Sequence, residues 1–368
     1  MDNINLWLWL ESKNINKKTK FYLYKKFESI KNIYDASKQD YENCDIKMSC
    51  EYVDALCDKN INNEETLDKF EKFGVRIVTI DQKEYPQMLK KMNCPPVVLY
   101  CRGKFINLNE KICVSVVGSR KMSVYGKNVS YGISKQLAQK GVVVVSGMAY
   151  GIDTMAHIGA LDGEGLTVAV LGCGVDIAYP KTNSVLMERI MKTGMVMSEF
   201  PLEYAPVAYN FPERNKIVAS ISVGTLVVEA DIKSGSLITA NLAKEYEKDV
   251  FAIPGNIDSP FARGTNYLIQ SGAKLVTCAN DIIKNYTELY HLLKKPETNT
   301  IINNEEKGSP IEQKIINCLS GEPVSIDYIC EKSGIDIATL NSNLLIMEIK
   351  GKIAKLPGNR YCINEGRI

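Results

Sequence analysis

The middle of the chain alternates between short apolar runs and longer amphipathic segments. Segments of helical period, such as Gly126–Lys140 and Asp153–Leu161, separate six apolar runs rich in β-branched residues. The six predicted strands are Val114–Val117, Val142–Val145, Val168–Leu171, Met195–Ser198, Thr225–Glu229 and Val250–Ile253. Apolar strands that alternate with helices favour an α/β fold with a doubly wound parallel sheet. Ligands of such sheets bind beyond the carboxyl ends of the strands.

The two ends of the chain follow other patterns. Leu6, Trp7 and Leu10 begin a series of apolar residues at helical spacing, which predicts a helical domain over residues 1–66. The α/β domain is expected over 67–290, and the polar stretch 291–309 is typical of a linker. Residues 310–368 show three helical segments and a two-stranded hairpin, which is the order of a winged helix.

Neither end carries a clear nucleic-acid motif. The N-terminal helices lack the glycine-containing hairpin of a helix-hairpin-helix module, so packing or partner binding is favoured over DNA binding. The presumed recognition helix, Asp336–Glu348, contains no Lys or Arg. The basic residues lie in the hairpin, at Lys352, Lys355 and Arg360. Protein contact or auxiliary DNA contact is therefore favoured over sequence-specific reading.

Composition restricts the choice of function. The net charge is +2, so a nucleic-acid binder of this composition must concentrate its basic residues locally. The eleven cysteines form no Cys-x-x-Cys pair, and there are only two histidines, so we expect reduced cysteines and no zinc site. The N-terminus lacks the pattern of a signal peptide, and no run of 18 apolar residues occurs. We expect a cytoplasmic protein that does not enter a membrane.

Glycine- and serine-rich turns follow the predicted strands. They contain Gly118, Ser119 and Arg120 in the first turn, Ser146 and Gly147 in the second, and Lys233, Ser234 and Gly235 in a later one. Glycine lets the backbone approach a ligand closely, and helix N-termini offer unpaired N–H groups. Because the carboxyl ends of parallel strands meet at one edge of the sheet, these turns predict an extended anion-binding rim.

The segment Phe211–Lys216 combines an aromatic ring with basic residues. Such a combination is typical of single-stranded nucleic-acid binding, in which bases stack on the ring and cations contact phosphates. The alternative is structural: Phe211 belongs to the core, and Arg214 caps a helix or pairs with Glu229. The six residues alone leave both interpretations open.

Other chemistry has less support. Gly118 and Gly126 are separated by seven residues, where a P-loop requires four, so ATP hydrolysis is not expected. His157, on a predicted helix, is interpreted as structural, and Asp153 as the cap of that helix. Glu229 ends a strand and is a candidate catalytic carboxylate, but no partner acid, metal set or nucleophile accompanies it.

Together the turns resemble the DNA-processing protein A (DprA/Smf) family. The resemblance covers residues 80–280 closely and rests on Gly118–Arg120, Ser146–Asp153, Phe211–Lys216, Ser234–Ala240 and Pro254–Asn256, in this order. It implies an extended Rossmann-like domain with a SAM-like helical domain before it and a winged helix after it. It also implies sequence-independent binding and protection of single-stranded DNA, loading of RecA recombinase during natural transformation, and a homodimer, with no cofactor and no enzymatic activity.

The resemblance also implies which residues bind DNA. They are Gly118, Ser119, Arg120, Ser146, Gly147, Phe211, Arg214, Asn215, Lys216, Lys233, Ser234 and Gly235. One departure concerns Glu213 and Lys216, which replace residues of a more basic family pattern, and lysine lacks the bidentate fork of arginine. An alternative function remains, a Rossmann-like nucleotide-processing enzyme of the phosphoribohydrolase type. It requires Glu229 or Asp153 to point into the pocket.

Overall fold

The computed structural model describes residues 3–46, 48–292, 310–319, 324–349, 353–356 and 358–363. The chain divides into two units, Met1–Lys294 and Lys295–Ile368. The first unit contains the predicted helical domain together with the α/β domain. Residues 293–309 of the predicted linker lie outside the described residues. None of the described helices is long and apolar enough to cross a bilayer.

Six helices open the first unit. They are α1 (Asn3–Ser12), α2 (Lys17–Phe27), α3 (Ile30–Asp35), α4 (Lys38–Glu42), α5 (Cys50–Cys57) and α6 (Glu64–Phe73). Polar side chains cap α2 to α5 at their N-termini, from Asn16, Ser29, Ser37 and Ser49, which explains why the helices begin where they do. Trp7 and Trp9 are buried between them, and Trp7 Nε1 donates to Asp81 Oδ1 at 3.1 Å, beyond the helical domain.

A nine-stranded sheet forms the centre of the first unit. Its strands are β1 (Val75–Thr79), β2 (Val98–Gly103), β3 (Cys113–Val117), β4 (Val143–Ser146), β5 (Thr167–Val170), β6 (Met195–Ser198), β7 (Gly224–Val227), β8 (Asp249–Ala252) and β9 (Lys274–Leu275). The order is β1-β2-β6-β5-β4-β3-β7-β8-β9. Strands β3 to β9 pair in parallel, and β1 and β2 add an antiparallel edge. The predicted parallel α/β sheet is confirmed, and every one of its six predicted strands lies within two residues of an observed strand.

Helices cover both faces of this sheet. They are α7 (Val124–Gln139), α8 (Ile152–Asp162), α9 (Ser184–Thr193), α10 (Asn210–Ser220), α11 (Gly235–Glu245), α12 (Arg263–Gln270) and α13 (Ala279–Ile283). From β3 the chain builds the sheet outward through β4, β5 and β6, and then returns to β7 on the other side of β3. This reversal opens a crevice at the carboxyl ends of the strands, where doubly wound sheets bind their ligands.

The second unit consists of α14 (Pro310–Cys318), β10 (Val324–Ser325), α15 (Ile326–Ser333), α16 (Ile337–Ile349), β11 (Ile353–Leu356) and β12 (Arg360–Ile363). Its antiparallel strands lie in the order β10-β12-β11, and Ile315, Ile329 and Leu340 are buried in its core. Three helices and a hairpin in this order confirm the predicted winged helix. Of the basic hairpin residues, Arg360 is exposed, and Lys352 lies outside the described residues.

Candidate nucleic-acid interface

An open cleft of about 430 Å³ lies at the carboxyl ends of β3, β4 and β7. Three of the predicted turns and the start of α10 meet there. The lining residues are Val117, Gly118, Ser119, Arg120, Lys121, Ala149, Asp153, Arg214, Asn215, Ser234, Gly235, Ser236 and Thr239. Seven of the twelve predicted binding residues are among them. The turns therefore converge on one site rather than being dispersed over the molecule.

Arg214 is the central residue at the bottom of the cleft. Only 5% of it is exposed. Its Nη1 donates to two carbonyl oxygens, that of Gly147, directly after β4, and that of Val170, the last residue of β5. Its Nε donates to Asn215 Oδ1 at 3.1 Å. Burial lowers the pKa of Arg214, and the neighbouring Asp153 opposes that shift. Arg214 thus neither caps a helix nor pairs with Glu229; it joins two strand ends.

Asp153 fixes the turn that follows β4. Its Oδ2 accepts from the backbone N–H groups of Gly147 at 3.1 Å and Ala149 at 3.4 Å. Burial raises the pKa of Asp153, while Arg214 acts in the opposite direction. The prediction that Asp153 caps its helix is wrong, because Gly151 is the N-cap residue of α8 and no side chain caps that end. We call Gly147, Asp153 and Arg214 the floor of the cleft.

There is no room for a side chain at Gly147 because the floor is tightly packed. A Cβ atom on Gly147 would lie 2.3 Å from Cζ of Arg214. The adjacent Ser146 is fully buried, and its Oγ donates to Val116 O at 2.6 Å across β3 and β4. Ser146 and Gly147 therefore support the cleft from below and contribute no side chain to its surface.

The outer part of the cleft, which we call the rim, consists of Ser119–Lys121 and Ser234–Ser236. Arg120 is exposed, and it forms no ion pair with any carboxylate among the described residues. Opposite it, α11 begins at Gly235, where an added Cβ would meet nothing within 4 Å. The positive end of a helix dipole thus lies at an open position suited to an anion.

Phe211 connects the floor with the rim. Its ring centroid lies 5.7 Å from the guanidinium carbon of Arg120 and 5.9 Å from that of Arg214. The ring is half-buried, and Tyr179 packs against it with a centroid distance of 5.4 Å. Cations at these distances from an aromatic ring are attracted by its electron-rich face. Phe211 is therefore neither fully in the core nor fully exposed.

These positions coincide with a family match over most of the α/β domain. The family model for DNA recombination-mediator protein A matches residues 76–287, and that for the DprA winged helix domain matches residues 303–359. The chain belongs to the DNA recombination-mediator protein A family. Protein Smf of Escherichia coli is 35% identical over 298 residues, covering 80% of this chain and 79% of that protein. DNA processing protein DprA of Bacillus subtilis is 39% identical over 215 residues, covering 58% and 72%.

Two solved structures of the family agree with this fold. The X-ray structure of DNA processing protein A from Streptococcus pneumoniae superposes with a TM-score of 0.69 at 33% identity, covering 77% of this chain and 98% of that one. The corresponding values for the Helicobacter pylori protein are a TM-score of 0.53, 31% identity, and coverage of 59% and 98%. The Helicobacter structure was solved for the single-stranded DNA binding mode of that protein.

Five of the twelve binding residues that the family resemblance implied are not part of the cleft lining: Ser146, Gly147 and Phe211, described above, and the two lysines Lys216 and Lys233. Lys216 Nζ lies 2.5 Å from Glu213 Oε1, on another face of α10 from Arg214 and Asn215. Lys233 is exposed immediately before Ser234, and within the described ranges it has no ion pair. Lys233 is thus beside the rim, whereas the charge of Lys216 is balanced by its neighbour.

Other candidate groups of this family member are engaged in the fold. Glu229 is 4% exposed, accepts from the backbone N–H of Ser123 at 2.9 Å, and faces a neighbouring cavity. His157 is fully buried, with Nδ1 2.7 Å from Thr167 Oγ1, and burial lowers its pKa to about 3. Among the residues that the structure describes, no group of His, Cys, Asp and Glu is arranged to hold a metal ion.

The cleft also contains residues that were not among the twelve predicted to bind DNA. Lys121 directly follows Arg120, and Thr239 lies three residues after Ser236, on the same face of α11. Helical spacing along α11 was the available signal for Thr239. No local signal marked Tyr179, because its contact with Phe211 joins residues that are distant in the sequence.

Proposed function

We propose that this protein binds single-stranded DNA in the cleft without sequence preference, and that it protects incoming strands and loads RecA recombinase on them during natural transformation. Family membership and the binding mode described for the Helicobacter relative support the first part. The arrangement of charge supports it independently. The rim offers a cation and a helix N-terminus. Both groups contact phosphate and do not distinguish one base from another.

The single observation that carries the proposal is the pairing of Arg120, which lines the cleft, with the half-buried ring of Phe211. The guanidinium is exposed and 5.7 Å from the ring, so a phosphate and a base find a cation and an aromatic surface side by side. Base stacking on an aromatic side chain contributes about 1–3 kcal/mol per base and tolerates any base. Sequence-independent binding follows from this chemistry.

The Arg120→Ala variant tests the proposal. We expect its affinity for a thymidine oligonucleotide to fall at least about tenfold, with a similar loss on a mixed sequence, because a phosphate contact is removed. The slope of log affinity against log salt concentration should fall by about one. Fluorescence anisotropy over a salt series measures both quantities. Binding equal to that of the wild-type chain would contradict the proposal.

Arg76→Ala is the matched control for this experiment. Arg76 is also exposed and lies over an aromatic ring, 3.9 Å from the centroid of Phe105, but on the edge strand β1 and outside the cleft. It should leave DNA binding unchanged. Lys216→Ala should have a smaller effect than Arg120→Ala, because Glu213 already balances the charge of Lys216. An equal loss from all three variants would indicate only a general dependence on net charge.

Recombinase loading and the homodimer rest on family membership alone. If the protein loads RecA, adding it to a strand coated with single-strand-binding protein should shorten the lag before RecA begins to hydrolyse ATP. An unchanged lag would contradict loading. Sedimentation of the full chain should give the mass of two copies of the 41.1 kDa polypeptide, and a single copy at micromolar concentration would contradict the homodimer.

The alternative, a nucleotide-processing enzyme, has one observation in its favour. Asp153 lines the cleft, and burial raises the pKa of its carboxyl group. However, Oδ2 of that carboxyl already accepts two backbone N–H groups, and Glu229 faces another cavity. Incubation with nucleoside monophosphates distinguishes the two functions. If the wild-type chain releases free base and the Asp153→Asn variant does not, the enzymatic function would be favoured.

A further inference from the structure

We propose that single strands longer than the cleft continue across the ends of β5 and β6, where their bases stack on Tyr179 and Tyr209. We call Tyr179, Tyr204 and Tyr209 the tyrosine surface. The inference rests on the proposed function and extends it, since it gives the strand a direction along the edge of the sheet. Four observations lead to it.

The first observation is exposure. Phe211 is half-buried, so a smaller fraction of it is exposed than of Tyr179 or Tyr209. Tyr179 packs against Phe211 with an angle of 30° between the rings, and 41% of Tyr179 is exposed. Tyr209 is 66% exposed. The outward aromatic area next to the cleft therefore belongs to the tyrosines more than to Phe211.

The second observation is the order of the strands. The sheet runs β7, β3, β4, β5, β6, and the cleft lies at β7, β3 and β4. Tyr179 follows β5, whereas Tyr204 and Tyr209 follow β6. Neighbouring strands are about 4.8 Å apart, so the tyrosine surface extends the cleft by about 10 Å in one direction. This length is suited to one or two further nucleotides.

The third observation is that hydrogen bonds hold the surface in place. Gly174 N donates to Tyr204 O at 2.9 Å, which joins the loops after β5 and β6. Asn183 Nδ2 donates to Met148 O at 2.9 Å, which joins the loop of Tyr179 to the turn after β4. The Tyr204 and Tyr209 hydroxyls are 2.9 Å apart, and Tyr204 stacks on Phe200 at 4.9 Å. An exposed ring held in this way loses little conformational entropy when a base stacks on it.

The fourth observation concerns charge. Two carboxylates nearby are engaged: Asp176 accepts from the backbone N–H of Glu203 at 3.0 Å, and Glu203 lies 3.4 Å from Lys69 Nζ. Lys181, close after Tyr179, is exposed and has no ion pair within the part of the chain that the structure describes. The surface thus offers a cation for a phosphate beside its rings, and one of its two acids, Glu203, is paired with a lysine.

The test compares two thymidine oligonucleotides, one of about six and one of about fifteen nucleotides, within the range of site sizes for single-strand binders. For the longer strand, Tyr209→Ala and Tyr179→Ala should each weaken binding at least about fivefold. For the shorter strand, Tyr209→Ala should change affinity less than about twofold. Tyr179→Phe keeps the ring and should bind the longer strand like the wild-type chain. Tyr267→Ala, which removes a tyrosine that is 56% exposed on α12, is the control.

The outcomes separate the two proposals. Equal losses on both strands, or no loss on the longer strand from either alanine variant, would overturn the tyrosine surface while leaving the cleft as the binding site. Failure of the wild-type chain to bind either strand would overturn the proposed function and this inference with it. Photocrosslinking of a 5-iodouracil strand to Tyr179 or Tyr209, absent in the alanine variants, would support the assigned path directly.

Discussion

The floor and the rim of the cleft each contain one arginine within 6 Å of the same phenylalanine ring, yet the two residues are used differently. Arg214 is 5% exposed and donates to two backbone carbonyls, whereas Arg120 is exposed and unpaired with any carboxylate of the described chain. A buried guanidinium with its donors engaged stabilises the fold. An exposed guanidinium at an open cleft is available to a ligand.

The comparison predicts that a residue can line the cleft without contacting DNA itself. A change in the floor should lower the free energy of unfolding, and it should reduce DNA binding only through loss of structure. A change in the rim should reduce binding and leave stability nearly constant. The following predictions test this division.

The largest effect is expected from Arg214→Ala. The change leaves the carboxylate of Asp153 buried without its cation and removes the donor to Gly147 O and Val170 O. A buried acceptor left without its donor costs about 1–3 kcal/mol of the free energy of unfolding, and this change leaves two such acceptors. Arg120→Ala should change that free energy by less than about 0.5 kcal/mol, as exposed substitutions usually do. Urea unfolding measures both, and equal losses would contradict the division.

Two glycines sharpen the comparison. Gly147→Ala places a Cβ where Arg214 Cζ would be 2.3 Å away, so we expect a loss of about 2–3 kcal/mol from overpacking. Gly235 is the first residue of α11, and a Cβ added there would meet open space. The Gly235→Ala variant should therefore leave the fold unaffected or slightly stabilised. Its methyl group projects into the rim and should weaken DNA binding. Destabilisation by Gly235→Ala would show that this position is packed.

A smaller effect is expected from pH. The folded pKa of His157 is about 3, below its ordinary value of 6.5, because burial disfavours the charged ring. The unfolded chain therefore takes up a proton as pH falls below about 6.5, and the folded chain does so only near 3. Stability should fall by about 2 kcal/mol between about pH 7 and pH 5 through this group.

The comparison of histidine variants isolates this pH effect. His157→Gln should remove most of the slope of stability against pH, whereas His291→Gln should retain it. The rim contains no histidine, so DNA affinity measured on folded protein should not follow the same curve. An unchanged slope in His157→Gln would contradict the assignment.

The sequence predicted the sheet and the convergence of its turns because both follow from local patterns. Apolar runs define β3 to β8, and glycine-rich turns after parallel strands necessarily meet at one edge. It did not predict the division between Arg120 and Arg214, because burial of Arg214 depends on carbonyl groups at Gly147 and Val170, 67 and 44 residues away. Asp153 was misassigned for a similar reason: the choice between capping its helix and fixing the preceding turn depends on where α8 begins.

Hydrogen exchange with and without a thymidine oligonucleotide tests the central claim most directly, because it reports on both sides of the cleft in one experiment. Binding should slow the exchange of backbone amides in Ser119–Lys121 and in Ser234–Ser236, on the two sides of the cleft. It should leave the edge strand Val75–Thr79 unchanged. Protection absent from both rim segments, in a chain that demonstrably binds the oligonucleotide, would contradict the account.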